Sequence, residues 1–226
     1  MIFADPLQTW INLVFDHPVT DPEWYWSPEA PAAFAGGNDW HEAPENIVNH
    51  IAETFENASE LLSRFSDQQL DQGFWFLFGN SRPDFMRLLL DPGISFPIRL
   101  RAMKSFVPLF EQVMAARCSR HLAHLDEPGA NPLNSACYMW LDELLDRFRP
   151  AKLSLSQLDR ELISVLGSVL NIPHDACRES ALHGIGHWVG RYPELAVIVD
   201  KFLSGTPGLR PELAVYAERA RAGNVL

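Results

Sequence analysis

Prolines and capping residues divide this sequence into short segments, most of which repeat their apolar residues at the spacing of an α-helix. Asp5 with Pro6 begins the first segment, Pro44 begins another over 44–58, and Ser66 begins a strongly apolar one over 66–80. Proline suits the first helical position, because a backbone N–H at that position would have no acceptor within the helix. An Asp or Ser just before the helix accepts a hydrogen bond from a backbone N–H of the first turn. The first half of the chain is therefore predicted to be helical.

The same signals continue to the end of the chain. The tract that begins at Ser95 is expected to bend or break near Pro108, because proline removes an intrahelical donor. No segment alternates apolar and polar residues over the length of a strand, so no sheet is predicted. The other helix starts predicted from a cap or a proline are Ser81, Asn131, Ser156, Asp175, Pro193 and Pro211.

About ten helices joined by short connections predict an all-α fold, with one domain over residues 1–226. The helices follow one another in pairs, which is typical of degenerate helical hairpins stacked in an array. Residues 44–226 are assigned to this array. Residues 1–43 are assigned to an acidic, aromatic region that caps it.

The stretch RESALHGIGHWVGRYPELAVIVDKFL, residues 178–203, resembles a HEAT-type repeat pair. The chain end, LRPELAVYAERARAGNVL, resembles the terminal helix of such an array. These last 55 or so residues are also similar to the tails of bacterial proteins without an assigned activity. The resemblance implies a stack of antiparallel helical hairpins, as an α-solenoid or a compact array. It also implies protein binding, because most HEAT-like proteins bind other proteins.

The net charge of −11 is concentrated at the start of the chain. Residues 1–63 contain eleven Asp and Glu and no Lys or Arg, whereas from Ser95 onward 15 basic residues balance 14 acidic ones. Such a surface repels nucleic acid and attracts a basic protein. Tryptophans beside acids are typical of interface anchors, although the same rings suit the cap of a helical array. The residues predicted to bind a partner are Trp24, Trp26, Trp40, Glu23 and Asp39.

A second candidate site lies on the helix predicted after Asp175, where Glu179, His183, His187 and Arg191 form one stripe at steps of four. Histidines at i and i+4 can both reach one zinc ion. Glu179 or Cys177 is the candidate further ligand, and His174 lies just before the helix. The glycines around His183 and His187 favour another interpretation, a polar seam where a neighbouring helix comes close. The sequence favours the seam and predicts no bound metal or cofactor.

The remaining chemistry-bearing residues give weak signals. Cys118, His121 and His124 line one side of a helix at steps of three, and Cys177 lies near a helix start. The three cysteines are expected to be reduced thiols of a cytoplasmic protein, and neither a nucleophile motif nor a membrane span is present.

The function that these patterns favour is a non-enzymatic scaffold or adaptor for a basic protein, including an immunity-type protein that occludes a toxin. Two alternatives stay open. One is a metal-dependent hydrolase that uses His183 and His187, and the other is a small-ligand binder with a groove beside Trp188.

Overall fold

A computed structural model describes residues 5–27, 42–78, 84–146 and 157–225. The chain divides into two compact units, with the boundary between Leu109 and Phe110. Across the described ranges the regular structure is helical and contains no strand, which confirms the predicted all-α class. No helix in these ranges combines the length and apolar character that crossing a bilayer requires. The stacked-hairpin arrangement and the single domain stay predictions.

The first unit begins as the caps predict. The Asp5 side chain accepts a hydrogen bond from the Leu7 N–H at 3.1 Å, and Ser66 with Gln69 forms a reciprocal capping box. The α-helices of this unit are α1 (Pro6–Phe15), α2 (Pro44–Glu56), α3 (Ala58–Leu61), α4 (Asp67–Leu77), α5 (Phe96–Lys104) and α6 (Phe106–Leu109), and its 3-10 helices are Trp24–Trp26 and Phe85–Leu90.

Aromatic side chains form the core of the first unit. Phe74, Phe76 and Phe85 are fully or almost fully buried. Phe74 packs edge-on against Phe15 of α1 at 5.3 Å between ring centroids, and Phe85 packs edge-on against Trp10 at 4.8 Å. Such edge-to-face pairs add to the stabilisation from area burial. Helix α1, from the region predicted to cap the array, packs against α2 and α4.

The predicted break near Pro108 is present. Helix α5 ends at Lys104, α6 contains Pro108, and a π-helical turn follows over Phe110–Met114. Proline has no N–H to donate to the carbonyl four residues earlier, so the regular α-helical pattern is interrupted at this point.

The second unit is built around one buried helix. Helix α10 has eleven buried residues among its fourteen and packs against α8, α9 and α12. Its N-cap is His174, without a side-chain hydrogen bond, and not the predicted Asp175, which is the first helical residue. After the π turn, the α-helices of this unit are α7 (Ala115–Arg117), α8 (Leu133–Asp146), α9 (Gln157–Leu170), α10 (Asp175–Trp188), α11 (Glu194–Gly205) and α12 (Pro211–Arg221), and a 3-10 helix covers Ala123–Leu125.

Gly73 tests the packing of α1 against α4. A Cβ added at Gly73 would lie 2.9 Å from the carbonyl oxygen of Val14 and would overlap the ring of Phe15. We expect Gly73→Ala to lower the free energy of unfolding by about 1–2 kcal/mol, because overpacking outweighs the gain of about 1 kcal/mol in helix propensity. Urea unfolding followed by circular dichroism measures this change.

The matched control is Gly190→Ala, since a Cβ at Gly190 meets no atom within 4 Å. Its unfolding free energy is expected to stay within about 0.5 kcal/mol of the wild type. Equal stability of the two variants would contradict the close approach of α1 and α4.

Candidate metal centre

Two helices of the second unit bring three metal-ligating side chains together. Asp142 projects from α8, and His183 and His187 project from successive turns of α10. The Asp142 Oδ2 atom lies 3.8 Å from the Nε2 atom of His183 and 3.8 Å from that of His187. All three ligand atoms lie within 4.8 Å of one another. We refer to Asp142, His183 and His187 as the triad.

The triad atoms surround a common point and do not bond to one another. A separation of 3.8 Å exceeds the length of a hydrogen bond between a ring nitrogen and a carboxylate. A point equidistant from the three atoms lies at most about 2.5 Å from each, compared with about 2.0–2.2 Å for Zn–N and Zn–O bonds. Small side-chain movements therefore suffice to place one ion between them.

The other nitrogen of His183 is held by a pair of tyrosines. Its Nδ1 atom lies 2.9 Å from the Tyr216 hydroxyl, which lies 3.0 Å from the Tyr138 hydroxyl. When Nδ1 donates to Tyr216, the Nε2 atom of His183 presents its lone pair to the centre of the triad. This orientation of an imidazole by its outer nitrogen is characteristic of metal ligands.

Burial, followed by the nearby imidazoles of His187 and His124, lowers the pKa of His183 to about 4. The His183 ring is therefore neutral at neutral pH, as metal ligation requires. Burial likewise raises the pKa values of Tyr138 and Tyr216, so both hydroxyls keep their protons. His187 lies at the edge of the triad with 31% of its side chain exposed.

Glu179, a candidate further ligand in the sequence, belongs to a different cluster. Its carboxylate accepts hydrogen bonds from the backbone N–H groups of Ala123 at 2.8 Å and His124 at 3.0 Å, and from the His124 ring at 2.5 Å. Burial raises the pKa of Glu179, and these hydrogen bonds oppose the rise. The His124 ring stacks on Tyr216 at 4.1 Å, so the two histidine clusters of the sequence meet through this tyrosine.

The three cysteines also converge, although they are far apart in the sequence. The Cys137 thiol donates to the Ala176 carbonyl oxygen at 3.7 Å, the thiols of Cys118 and Cys177 are close enough to influence its titration, and all three residues are buried. These neighbouring thiols and burial raise the pKa of Cys137. The neighbouring Cys137 thiol and the His174 side chain lower the pKa of Cys177 to about 6, against the effect of burial.

Two tryptophans predicted to bind a partner, Trp24 and Trp26, lie in the first unit and differ in exposure. Trp24 is buried, with its ring stacked on His17 at 3.5 Å, whereas Trp26 is 51% exposed. Glu23 precedes their 3-10 helix and is half-buried. Trp40 and Asp39 lie outside the described residues.

Sequence reasoning found the two histidines but missed Asp142, Tyr138 and Tyr216. No spacing links these residues to α10, because they lie on α8 and α12 and reach the histidines only through helix packing. The available signal was an acid within the apolar run of α8. The last member of the predicted stripe, Arg191, has its guanidinium 5.4 Å from the centroid of the Tyr192 ring.

Comparison of the chain with protein-family models, curated proteins and solved structures finds no match. The functional argument consequently depends on the geometry of the triad and its surroundings.

The Glu179 cluster gives a stability prediction. We expect Glu179→Gln to lower the free energy of unfolding by about 1–3 kcal/mol, because the new amide group turns one acceptor into a donor facing buried donors. Urea unfolding measures the loss. Asp175→Asn is the control, because the half-buried Asp175 carboxylate forms, with the described residues, a single 3.7 Å ion pair to an exposed arginine, Arg120. That control is expected to change stability by no more than about 1 kcal/mol, and an equal loss in both variants would contradict the assignment.

Proposed function

We propose that the second unit binds a divalent transition-metal ion through Asp142, His183 and His187, and that the protein is a metal-dependent hydrolase. The observation that carries this proposal is the 3.8 Å separation of the Asp142 carboxylate from both imidazoles. At that distance no hydrogen bond joins the carboxylate to either imidazole, whereas one metal ion could be coordinated by all three groups. Asp142 and His183 are both buried, and a bound cation would stabilise the carboxylate charge in these surroundings.

Two imidazoles and one carboxylate favour zinc among the common ions. Structural zinc sites have four protein ligands, whereas catalytic zinc sites have three and keep a position for water. The triad has three, and the exposed edge at His187 gives a route for water and substrate. A bound zinc ion would lower the pKa of its water to about 7 and supply hydroxide for hydrolysis. The same ligand set also suits iron(II), so the metal requires direct measurement.

Metal affinity is the first test of the proposal. We expect the purified chain to bind one equivalent of zinc or cobalt(II), and cobalt binding to produce visible d–d absorption. Asp142→Asn and His187→Asn are each expected to weaken binding at least 10-fold, because each removes a ligand. Titration of cobalt(II) followed by absorption, with competing chelator, measures the affinity.

The control variants replace the same two residue types, aspartate and histidine, within the same unit. Asp175→Asn and His121→Asn remove a carboxylate and an imidazole that lie outside the triad, and both are expected to retain wild-type affinity. Hydrolysis is assayed with p-nitrophenyl acetate and p-nitrophenyl phosphate, with the metal present and after chelation. Stoichiometric metal without metal-dependent hydrolysis of any ester tested would reject the hydrolase while retaining the metal centre. Equal affinity in all variants would reject both.

A protein-binding role remains the second candidate because Trp26 is half exposed in a region rich in acids. Asp21 is exposed and Glu23 is half-buried beside it. A large aromatic side chain left in water next to carboxylates suits contact with a basic protein surface.

Trp26→Ser tests this second role. We expect affinity capture from the native cytosol to return proteins with basic surfaces on the wild-type chain and to lose them with Trp26→Ser, because the aromatic anchor is gone. Quantitative mass spectrometry measures the difference. Val19→Ser, which removes another half-exposed apolar side chain of the same unit, is the control and is expected to retain the partners. Loss of the same proteins in both variants, or recovery of acidic partners, would contradict this role.

A further inference from the structure

A groove between α9 and α11 is separate from the triad and is not used by the proposed function. It encloses about 450 Å³, within the range of about 300–1,000 Å³ that small-molecule sites occupy. Ile163 and Ile198 are half-buried in its walls, while Leu170 and Phe202 are buried beneath them. We refer to this feature as the α9–α11 groove.

The charges of the α9–α11 groove are of one sign. Arg160 and Lys201 are exposed at its lining, which contains no Asp or Glu. Neither cation forms an ion pair with another of the described residues. A third cation lies close by, since the Arg178 guanidinium is 5.5 Å from the centroid of the Phe202 ring. The charged residues of the groove are therefore cations, in a part of the chain where basic and acidic residues are otherwise balanced.

Two glycines keep the α9–α11 groove open. Gly167 lies in the interior of α9, where glycine costs about 1 kcal/mol relative to alanine. Helix packing does not require it, because an added Cβ would meet only methyl groups of Ile198 at 3.8 and 3.9 Å, an ordinary contact distance. A Cβ at Gly205, the last residue of α11, would meet no atom within 4 Å. The space beside both residues is therefore unfilled.

We propose that the α9–α11 groove binds a small anionic molecule with an apolar chain, of the carboxylate or phosphate-monoester class. The apolar walls would take the chain, and Arg160 and Lys201 would hold the anionic head. Serine, threonine and asparagine side chains of the lining add polar edges, but Ser168 and Asn171 already donate to backbone carbonyls of α9. The positive charges of Arg160 and Lys201 are therefore expected to give the groove its preference for an anion.

Calorimetric titration of the full chain tests this proposal. The ligands are decanoate, decyl phosphate and decyltrimethylammonium, each below its critical micelle concentration. We expect an anion to bind at least 10-fold more tightly than the cation of equal chain length. Gly167→Leu is expected to weaken anion binding at least 10-fold by filling the groove. Arg160→Gln with Lys201→Gln is expected to remove the preference for the anion.

Gly190→Ala and Asp142→Asn are the control variants for these titrations. Gly190→Ala, a glycine outside the groove, is expected to bind as the wild type does. Because Arg160 and Lys201 are exposed, the double variant keeps its fold and decides the question even if Gly167→Leu unfolds. Equal binding of anion and cation, or anion binding that survives in the double variant, would overturn the proposal. Asp142→Asn is expected to leave decanoate binding unchanged, so this proposal and the metal centre fail separately.

Discussion

The burial of polar groups on α10 is the constraint on which the second unit depends. A helix enclosed by α8, α9 and α12 would normally present apolar side chains alone, yet α10 buries Glu179 and His183. Each such group costs several kcal/mol if it lacks partners in the interior. The neighbouring elements supply them, since the 123–124 backbone donates to Glu179 and α12 contributes Tyr216 to His183. The position of the segment before α8 and the position of α12 are thereby tied to one helix.

The tyrosine pair links the local chemistry to this packing. Burial raises the pKa values of Tyr138 and Tyr216, so both remain hydroxyl groups at neutral pH. Because each hydroxyl carries one proton, an imidazole N–H that donates to Tyr216 leaves the Tyr216 proton for Tyr138. The direction of this chain decides which nitrogen of His183 carries the proton, while Nε2 faces Asp142 in either case. When Nδ1 donates to Tyr216, Nε2 presents a lone pair to the triad, and when Nδ1 accepts from Tyr216, Nε2 presents a proton.

Local signals in the sequence predicted the elements, whereas the site depends on contacts between elements. Asp5 and Ser66 cap helices as expected, and Pro108 interrupts one, because capping and the missing N–H act within a few residues. Asp142 lies 41 residues before His183, and no periodicity relates positions on two different helices. Glu179 was expected beside the histidines because it shares their stripe. It turns instead to the 123–124 backbone, where two part-buried N–H groups donate to its carboxylate.

Gly186 of α10 helps to distinguish the two interpretations of the histidine stripe, a close-packed polar seam and a metal site. A Cβ added at Gly186 would lie 2.5 Å from the side chain of Val225, which follows α12, so close packing of the segment after α12 explains this glycine. The histidines face Asp142 on α8, which is a different neighbour. Packing against Val225 therefore does not account for His183 and His187. A seam held by hydrogen bonds would bring their Nε2 atoms within bonding distance of the carboxylate, and the gap of 3.8 Å to both favours an ion between them.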